Sequence, residues 1–256
     1  MGTDYSKYRM TFDFHTHTTY SHGLIRPHGK GTMEENVQAA IACGLDAVAI
    51  SDHGPGHMFY GMDRKKIPEM KAEIERLRKK YPQIRIWFSV EANVIQNGGN
   101  CLDVRQSEFG DFDFVNAGYH YGITRGYMIP NFLAGHGIAA PGMRKKLMDK
   151  NTAMTVDAVR RNRLKILTHP GDKGDFDIER IARACGETGT WMEISTWHSH
   201  LTVEEIRTAM KDERVQFVIS SDAHTPDRVG SFRGGLDRAL EAGLPTERIV
   251  NIEKVG

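Results

Sequence analysis

Cysteine is scarce in this sequence. Cys43, Cys101 and Cys185 are the only three in 256 residues. Their odd number and wide spacing exclude a disulfide framework and a CxxC metal site, and point to a reducing compartment. Long apolar runs are lacking as well. Nothing approaches the roughly 18 consecutive apolar residues of a membrane span, and the opening MGTDYSKYRMTFDF holds no apolar core of a secretion signal. The expected location is the cytoplasm. Neither sign of charge is in excess, with 34 Lys and Arg against 33 Asp and Glu, which argues against a nucleic-acid surface or a polybasic membrane contact. Low-complexity tracts, internal repeats and linkers of shifted composition are absent too. With 39% hydrophobic residues and a mean hydropathy of -0.47, the chain is long enough to bury a sizeable core. It reads as one domain over residues 1–256.

What is present is an alternation of short apolar runs with longer segments of helical period. Strands are expected at Met10 to Phe14, Asp46 to Ile50, Arg85 to Val90, Phe112 to Gly118, Lys165 to Thr168, Thr190 to Ile194 and Gln216 to Ser220. Helices are expected between them. The first opens on Thr32-Met33-Glu34-Glu35, a capping box in which hydroxyl and carboxylate satisfy free backbone amides, and it stops at Gly44. The others run from Asp63 to Lys80, Gly142 to Asn162, Asp177 to Thr188, Thr202 to Asp212 and Phe232 to Ala242. Such alternation predicts an α/β protein with a mostly parallel sheet, open or closed. Tyr121 to Pro141, rich in Gly and Pro, reads as a long loop over one face.

The chain has twelve histidines, and their placement is not random. His15 and His17 follow the first expected strand, His53 the second, His120 the fourth, His169 the fifth and His224 the seventh, with Glu91 after the third and Asp222 beside His224. Carboxyl ends of parallel strands are where β/α folds build their sites. One histidine at a strand end is most often a hydrogen-bonded structural residue. This many imidazoles with two carboxylates on one rim would be costly to bury without a shared partner, and a metal cluster satisfies them together. Imidazole and carboxylate donors without thiolate suit Zn, Fe or Mn in a catalytic rather than a closed structural site. His15 and His17, two residues apart in an extended segment, point to one side and can approach one metal.

The motifs Asp13-Phe14-His15-Thr16-His17, Ser51-Asp52-His53-Gly54, Val90-Glu91-Ala92-Asn93, Gly118-Tyr119-His120, Thr168-His169-Pro170-Gly171 and Ser221-Asp222-Ala223-His224 together resemble the PHP family, named for polymerase and histidinol phosphatase. Their order and spacing match across nearly the whole chain. The resemblance implies a distorted seven-stranded β/α barrel, TIM-barrel-like, with two to three divalent metals in a cleft at the carboxyl ends of the strands. It implies one metal held by His15, His17, Glu91 and Asp222, a second by His120, His169 and a bridging Glu91, and a third by His22, His53 and His224. It further implies a metal-dependent phosphoesterase in which a metal-bridging hydroxide attacks the phosphorus of a small phosphate ester, a monoester foremost, with Glu91, Asp222 and His224 as the residues carrying catalysis.

The sequence departs from the family pattern in one place. Ser21-His22-Gly23 is followed by Leu24 to Pro27 before His28-Gly29-Lys30-Gly31-Thr32, so two His-Gly dipeptides compete. His22 keeps the spacing from His17 and is the expected ligand; His28 keeps the spacing to the helix and is the alternative. Asp13 and Asp52, each beside a ligand in sequence, are candidates to orient imidazoles or to act as simple capping acids. His57 and the pair His198 and His200 lie on the same rim, as substrate contacts or as residues of no role there, and Glu193 in the sixth expected strand either faces the site or alternates outward. Expected substrate contacts are His28, Arg125, Lys173, His198 and Arg228, the basic groups among them being suited to a charge-assisted contact with phosphate.

Two other readings compete. An amidohydrolase-type metal hydrolase also begins with His-x-His and ends with Asp, but no bridging Lys follows a middle strand here and His224 stands beside Asp222. A non-catalytic metal-binding module would be expected to lose ligands, whereas every position is filled. The segment after His17, Thr19-Tyr20-Ser21-His22, departs from the style of dedicated histidinol phosphate phosphatases, so the expected partner is a small phosphorylated substrate of unspecified kind.

Overall fold

A computed structural model describes residues 2–22, 27–138 and 140–255. Strands β1 (Tyr8–Met10) and β2 (Phe12–Thr16) lead into helix α1 (Met33–Ala42). Alternation then continues through β3 (Ala47–His53), α2 (Ile67–Lys80), β4 (Arg85–Asn93), β5 (Phe114–Gly118), α3 (Met128–Gly135), α4 (Pro141–Arg161), β6 (Leu164–Leu167) and α5 (Ile178–Thr188). It ends with β7 (Trp191–Ser195), α6 (Val203–Ala209), β8 (Phe217–Ser220), α7 (Arg233–Ala242) and β9 (Ile252–Lys254).

Strands β2 to β8 form one seven-stranded sheet in sequence order, every neighbouring pair parallel. The edges β2 and β8 approach through a parallel bridge from Thr16 to Ala223 and the 2.8 Å hydrogen bond that the His17 N–H donates to the Ala223 carbonyl, so the sheet is a nearly closed barrel with helices between its strands. The seven expected strands are all there, each within a few residues of its expected bounds. β1 and β9 form an additional antiparallel pair, Tyr8 opposite Lys254 and Met10 opposite Ile252. At three residues each, neither is long enough to carry a readable alternation.

Period-two alternation divides each strand between two cores. One set of side chains, including Val48, Ile50, Phe88, Val90, Val115, Met192 and Ile219, packs outward under the helices. The other set meets inside the barrel. Phe14 of β2 lies 5.1 Å from Phe114 of β5, and Phe12 of β2 lies 5.9 Å from Trp191 of β7, contacts between strands that are not neighbours. With Ala47, Ala49, Ile166 and Val218 they fill the lower lumen.

The helices end as their sequences dictate. Thr32 and Glu35 form the expected capping box at α1, Asp177 caps α5, Thr202 and Glu205 form a second box at α6, and Gly189 and Gly243 take the left-handed conformation at the ends of α5 and α7. The segment expected as a loop, Tyr121 to Pro141, instead contains α3. Pro130 in this short helix falls in the first turn, where a missing N–H is harmless, so the Gly and Pro content hid a helix rather than excluding one. No helix among the described residues is long and apolar enough to cross a membrane.

Candidate metal centre

At the amino end of the barrel the lumen is apolar; at the carboxyl end it is polar and buried. The reversal begins in β2, whose register against β3 shifts between Asp13 and Thr16. This irregularity turns His15 inward although Phe12 and Phe14 already face the lumen, and His17 follows two residues later on the same side. Regular register then aligns His53 with Glu91 and Glu91 with Asn116. His169 and Asp222 stand just past β6 and β8 with positive φ, 28° and 51°. That conformation strains a residue with a Cβ, and the His169 N–H is held in it by donating to Glu193 Oε2 at 2.7 Å.

Glu91 is wholly buried at the centre of this end. Its Oε1 lies 2.9 Å from His169 Nε2 and 3.3 Å from Nε2 of both His15 and His120. Its Oε2 lies 2.9 Å from His53 Nδ1 and 3.7 Å from His17 Nε2. Asp222 Oδ1 lies 3.1 Å from His17 Nε2 and 3.6 Å from His15 Nε2. Ligands about 2.1 Å from a tetrahedral zinc stand about 3.4 Å apart, so these spacings are those of donors around cations. Groups of three donor atoms lying within 4.8 Å of one another are His15, His17, Asp222; His53, Glu91, His120; His17, His53, His224; and His169, His198, Asp222.

Hydrogen bonding within the protein does not satisfy this cluster. Both ring nitrogens of His53, Nε2 of His120 and His224, Nδ1 of His17 and His169, and Oε2 of Glu91 are buried without a hydrogen-bond partner. Orphaned groups at this density are costly in a protein interior unless something else binds them, and divalent cations bind this donor set. Protonation states suit it as well. Burial, with repulsion from His224, lowers the His17 pKa to about 3, and burial holds His53 well below its ordinary value, which keeps both rings neutral. Burial would raise Glu91, but His120, His15 and His53 outweigh it and hold the carboxylate ionised. Burial likewise opposes a proton on His169, yet the bond to Glu91 raises its pKa to about 9. A proton there stands where a cation would supply the positive charge.

Outer partners orient the rings. His15 Nδ1 faces Glu193 Oε1 at 2.7 Å, His120 Nδ1 faces Asn93 Oδ1 at 2.8 Å, and His224 Nδ1 faces its neighbour's carbonyl, Asp222 O, at 2.9 Å. Asn93 is itself held by Asp103, which accepts from its amide at 2.7 Å. Asp13 and Asp52 do not touch imidazoles. Asp13 accepts backbone N–H bonds from Ser221 and Gly230, and Asp52 accepts four bonds from Thr18 and Ser21, so the two acids lock the turns that follow β8 and β2. Glu193, left without a role by the sequence, is the carboxylate that orients His15. Its strand alternation, in step with inward-facing Trp191, was the available signal.

Of the expected metal ligands, His15, His17, His53, Glu91, His120, His169, Asp222 and His224 come together. His22 does not: it is exposed, and residues 23–26 of the insertion lie outside the described residues. His28 lies beside the cluster instead, its ring 4.4 Å from His224 and 5.5 Å from His53 and stacked on Tyr60 at 4.0 Å. The physical reason is backbone return. The N–H groups of His28 and Gly29 both donate to Ser21 O, and Lys30 donates to His224 O, which brings the second dipeptide back over the site. His198 lies between two carboxylates, 3.2 Å from both Asp172 Oδ2 and Asp222 Oδ2. Arg228 stacks over Trp197, itself 5.4 Å from His224. Lys173 pairs with Asp172, Arg125 is exposed with only its backbone engaged, and neither reaches the cluster. His57 is structural, bonding Tyr121 O and the Phe59 and Tyr60 N–H groups, and His200 pairs with Glu205.

Comparison with known proteins adds an independent line. The model of the PHP domain family matches residues 13–197. A protein of Acetivibrio thermocellus named probable phosphatase is 26% identical over 256 residues, covering 95% of this chain and 91% of its own. A histidinol phosphate phosphatase of Lactococcus lactis, solved in complex with zinc, L-histidinol and phosphate, shares the fold with a TM-score of 0.60 at 15% identity, over 93% of this chain and 94% of that one. The fold is also that of a dihydropyrimidinase of Brevibacillus agri, at a TM-score of 0.50 and 11% identity over 95% of this chain and 68% of that one.

Proposed function

This chain belongs to the PHP domain family, and from that premise and its buried donor cluster we propose that it is a metal-dependent phosphoesterase hydrolysing a small phosphate ester, a monoester foremost. The observation that carries the reading is Glu91, buried with both oxygens within 3.7 Å of ring nitrogens from five histidines, two of which, His53 Nδ1 and His120 Nε2, have no hydrogen-bond partner. The probable phosphatase relatives support it. So does the fold shared with a phosphatase that was solved with zinc and phosphate.

Two to three first-row divalent ions, Zn, Fe or Mn, would be held. His15, His17, Glu91 and Asp222 would hold one, Glu91, His120 and His169 a second, and His53, His224 and His28 in place of His22 a third. Bound there, the cations supply Lewis acidity, neutralising phosphoryl charge and bringing the pKa of a water towards neutrality.

The residues around them divide the remaining work. Tyr60 and Trp197 wall a recess of about 320 Å³ that also touches His28, Lys30 and His224, and this recess takes the organic part of the ester. Lys30 lines it and Arg228 lies over the Trp197 ring that walls it, both available to phosphoryl oxygens as charge-assisted donors. His198 stands at the rim with each ring nitrogen facing a carboxylate oxygen. Hydrolysis joins a water oxygen to phosphorus and breaks the bond from phosphorus to the leaving oxygen, which takes a proton as it departs; His198 Nε2 is the group placed to pass it.

The test is elemental analysis together with hydrolysis of 4-nitrophenyl phosphate, a diester and a dihydropyrimidine by the same preparation. Two or more metal equivalents and chelator-sensitive monoester turnover support the reading. Ring opening of the dihydropyrimidine instead would assign an amidohydrolase chemistry. Metal and phosphate binding without turnover from about pH 6 to 9, where such a water is deprotonated, would leave a binding module.

A further inference from the structure

The far end of the barrel is not sealed. Phe12, Ala47, Arg85, Phe114 and Trp191, the first residues of β2, β3, β4, β5 and β7, together with Lys165 of β6, rim a cup of about 1000 Å³ open to solvent. The metal donors stand at the last residues of the same strands, so this is a separate site. Its floor is aromatic: Phe12 stacks on Phe14 at 4.1 Å, and Trp87 lies 6.2 Å from Phe114. Phe12, Trp87, Phe114 and Trp191 are only partly buried against the lumen, which leaves four aromatic side chains facing water at a concave surface, an arrangement that marks ligand sites more often than idle surface.

The polar groups at the cup are unbalanced in one direction. Its carboxylates are taken: Asp46 and Glu253 by Arg9, and Asp113 by Arg78 at 2.5 Å and the Phe88 N–H at 2.7 Å. Its donors are not. Among the described residues Lys165 and Arg85 have no carboxylate partner; Lys165 Nζ rests 3.7 Å above the Trp191 ring and the Arg85 guanidinium 5.6 Å from that of Trp87. The Trp87 indole N–H is buried without an acceptor. A buried donor without a partner is costly, and two cations over aromatic faces without counter-charge are matched by an acceptor carrying negative charge. An apolar, planar body would fill the rest, and the volume suits a bicyclic ligand.

We propose that the amino-terminal mouth of the barrel is a second small-molecule site, which takes an aromatic carboxylate with its ring on the Phe12, Trp87, Phe114 and Trp191 side chains and its carboxylate between Lys165 and Arg85. The proposal is independent of the phosphoesterase reading.

The probe is 2-naphthoate, titrated against metal-loaded protein and followed by tryptophan fluorescence. Trp197 is the only one of the three tryptophans outside the cup, so Trp197→Phe leaves the signal to Trp87 and Trp191. Saturable quenching is expected, weakened about tenfold by Lys165→Gln and by Arg85→Gln, as for loss of one charge-assisted contact. Both side chains reach solvent, so these variants should keep the fold, which circular dichroism checks. The uncharged 2-naphthalenemethanol should bind at least tenfold more weakly, and inorganic phosphate should not compete. Equal affinity for the alcohol, indifference to both substitutions, or displacement by phosphate would each overturn the proposal. A stable dimer in sedimentation that fails to bind the probe would overturn it too, and assign the cup to a second copy of this chain.

Discussion

Replacing Glu91 by Gln changes one atom and should empty two cation positions. The carboxylate is wholly buried, and its oxygens divide their neighbours: Oε1 faces His169, His120 and His15, and Oε2 faces His53 and His17. At an effective dielectric of about 20, unit charges about 3 Å apart interact by about 5 kcal/mol. If half of that survives relaxation, the loss is about 2.5 kcal/mol, nearly a hundredfold in affinity for each cation that shares the group. The amide also turns an N–H donor towards imidazole nitrogens that must accept nothing if they are to ligate. His120→Ala removes a donor on one side only and is the control. After dialysis against metal-free buffer, elemental analysis should find about two equivalents fewer in Glu91→Gln and about one fewer in His120→Ala. Phosphatase kcat in Glu91→Gln should fall by about 10³ or more, which is about 4 kcal/mol of transition-state stabilisation. A Glu91→Gln protein that keeps its full metal content and rate would refute the bridging role and the grouping of donors around it.

Two further outcomes follow from named contacts. His28→Ala should lower metal content by up to one equivalent and cut phosphatase kcat by at least about tenfold, while His22→Ala should leave both unchanged; elemental analysis and steady-state rates decide, and the reverse pattern would return the role to His22. Glu34 accepts from Arg76, Lys80 and Tyr81, joining α1 to α2. Those bonds lower its pKa from 4.5 to about 2 in the folded protein, so its stabilisation is present above pH 4.5 and lost as pH falls towards 2. The difference in urea midpoint between the native chain and Glu34→Gln should therefore shrink from pH 6 to pH 3, and a constant difference would refute the linkage.

Local patterns carried much of this protein openly. The seven strands were legible because β/α alternation leaves short apolar runs between helical periods, and the helix bounds because Thr32, Asp177, Thr202, Gly189 and Gly243 satisfy free backbone groups by local chemistry. Strand ends fixed where His53, Glu91, His169 and Asp222 could meet, since parallel strands deliver their carboxyl ends to one rim whatever lies between them. The motifs at those ends were enough to place the chain in its family.

Only the tertiary structure decided matters that depend on how separated segments return to one another. Distance along a loop does not say whether His22 or His28 comes back to the rim; the bonds from 28, 29 and 30 to Ser21 and His224 do. Alternation turns Glu193 to the lumen side of β7, but only the closed barrel brings it to His15, and only the returning segment gives Asp52 the turn it locks. The shift in β2 that turns His15 inward is a property of its pairing with β3 rather than of its residues, and the aromatic cup exists because five strand beginnings converge. Local interactions act between residues a few positions apart and are written in the sequence. A site is made of contacts between residues tens to hundreds of positions apart, and these exist only once the barrel closes.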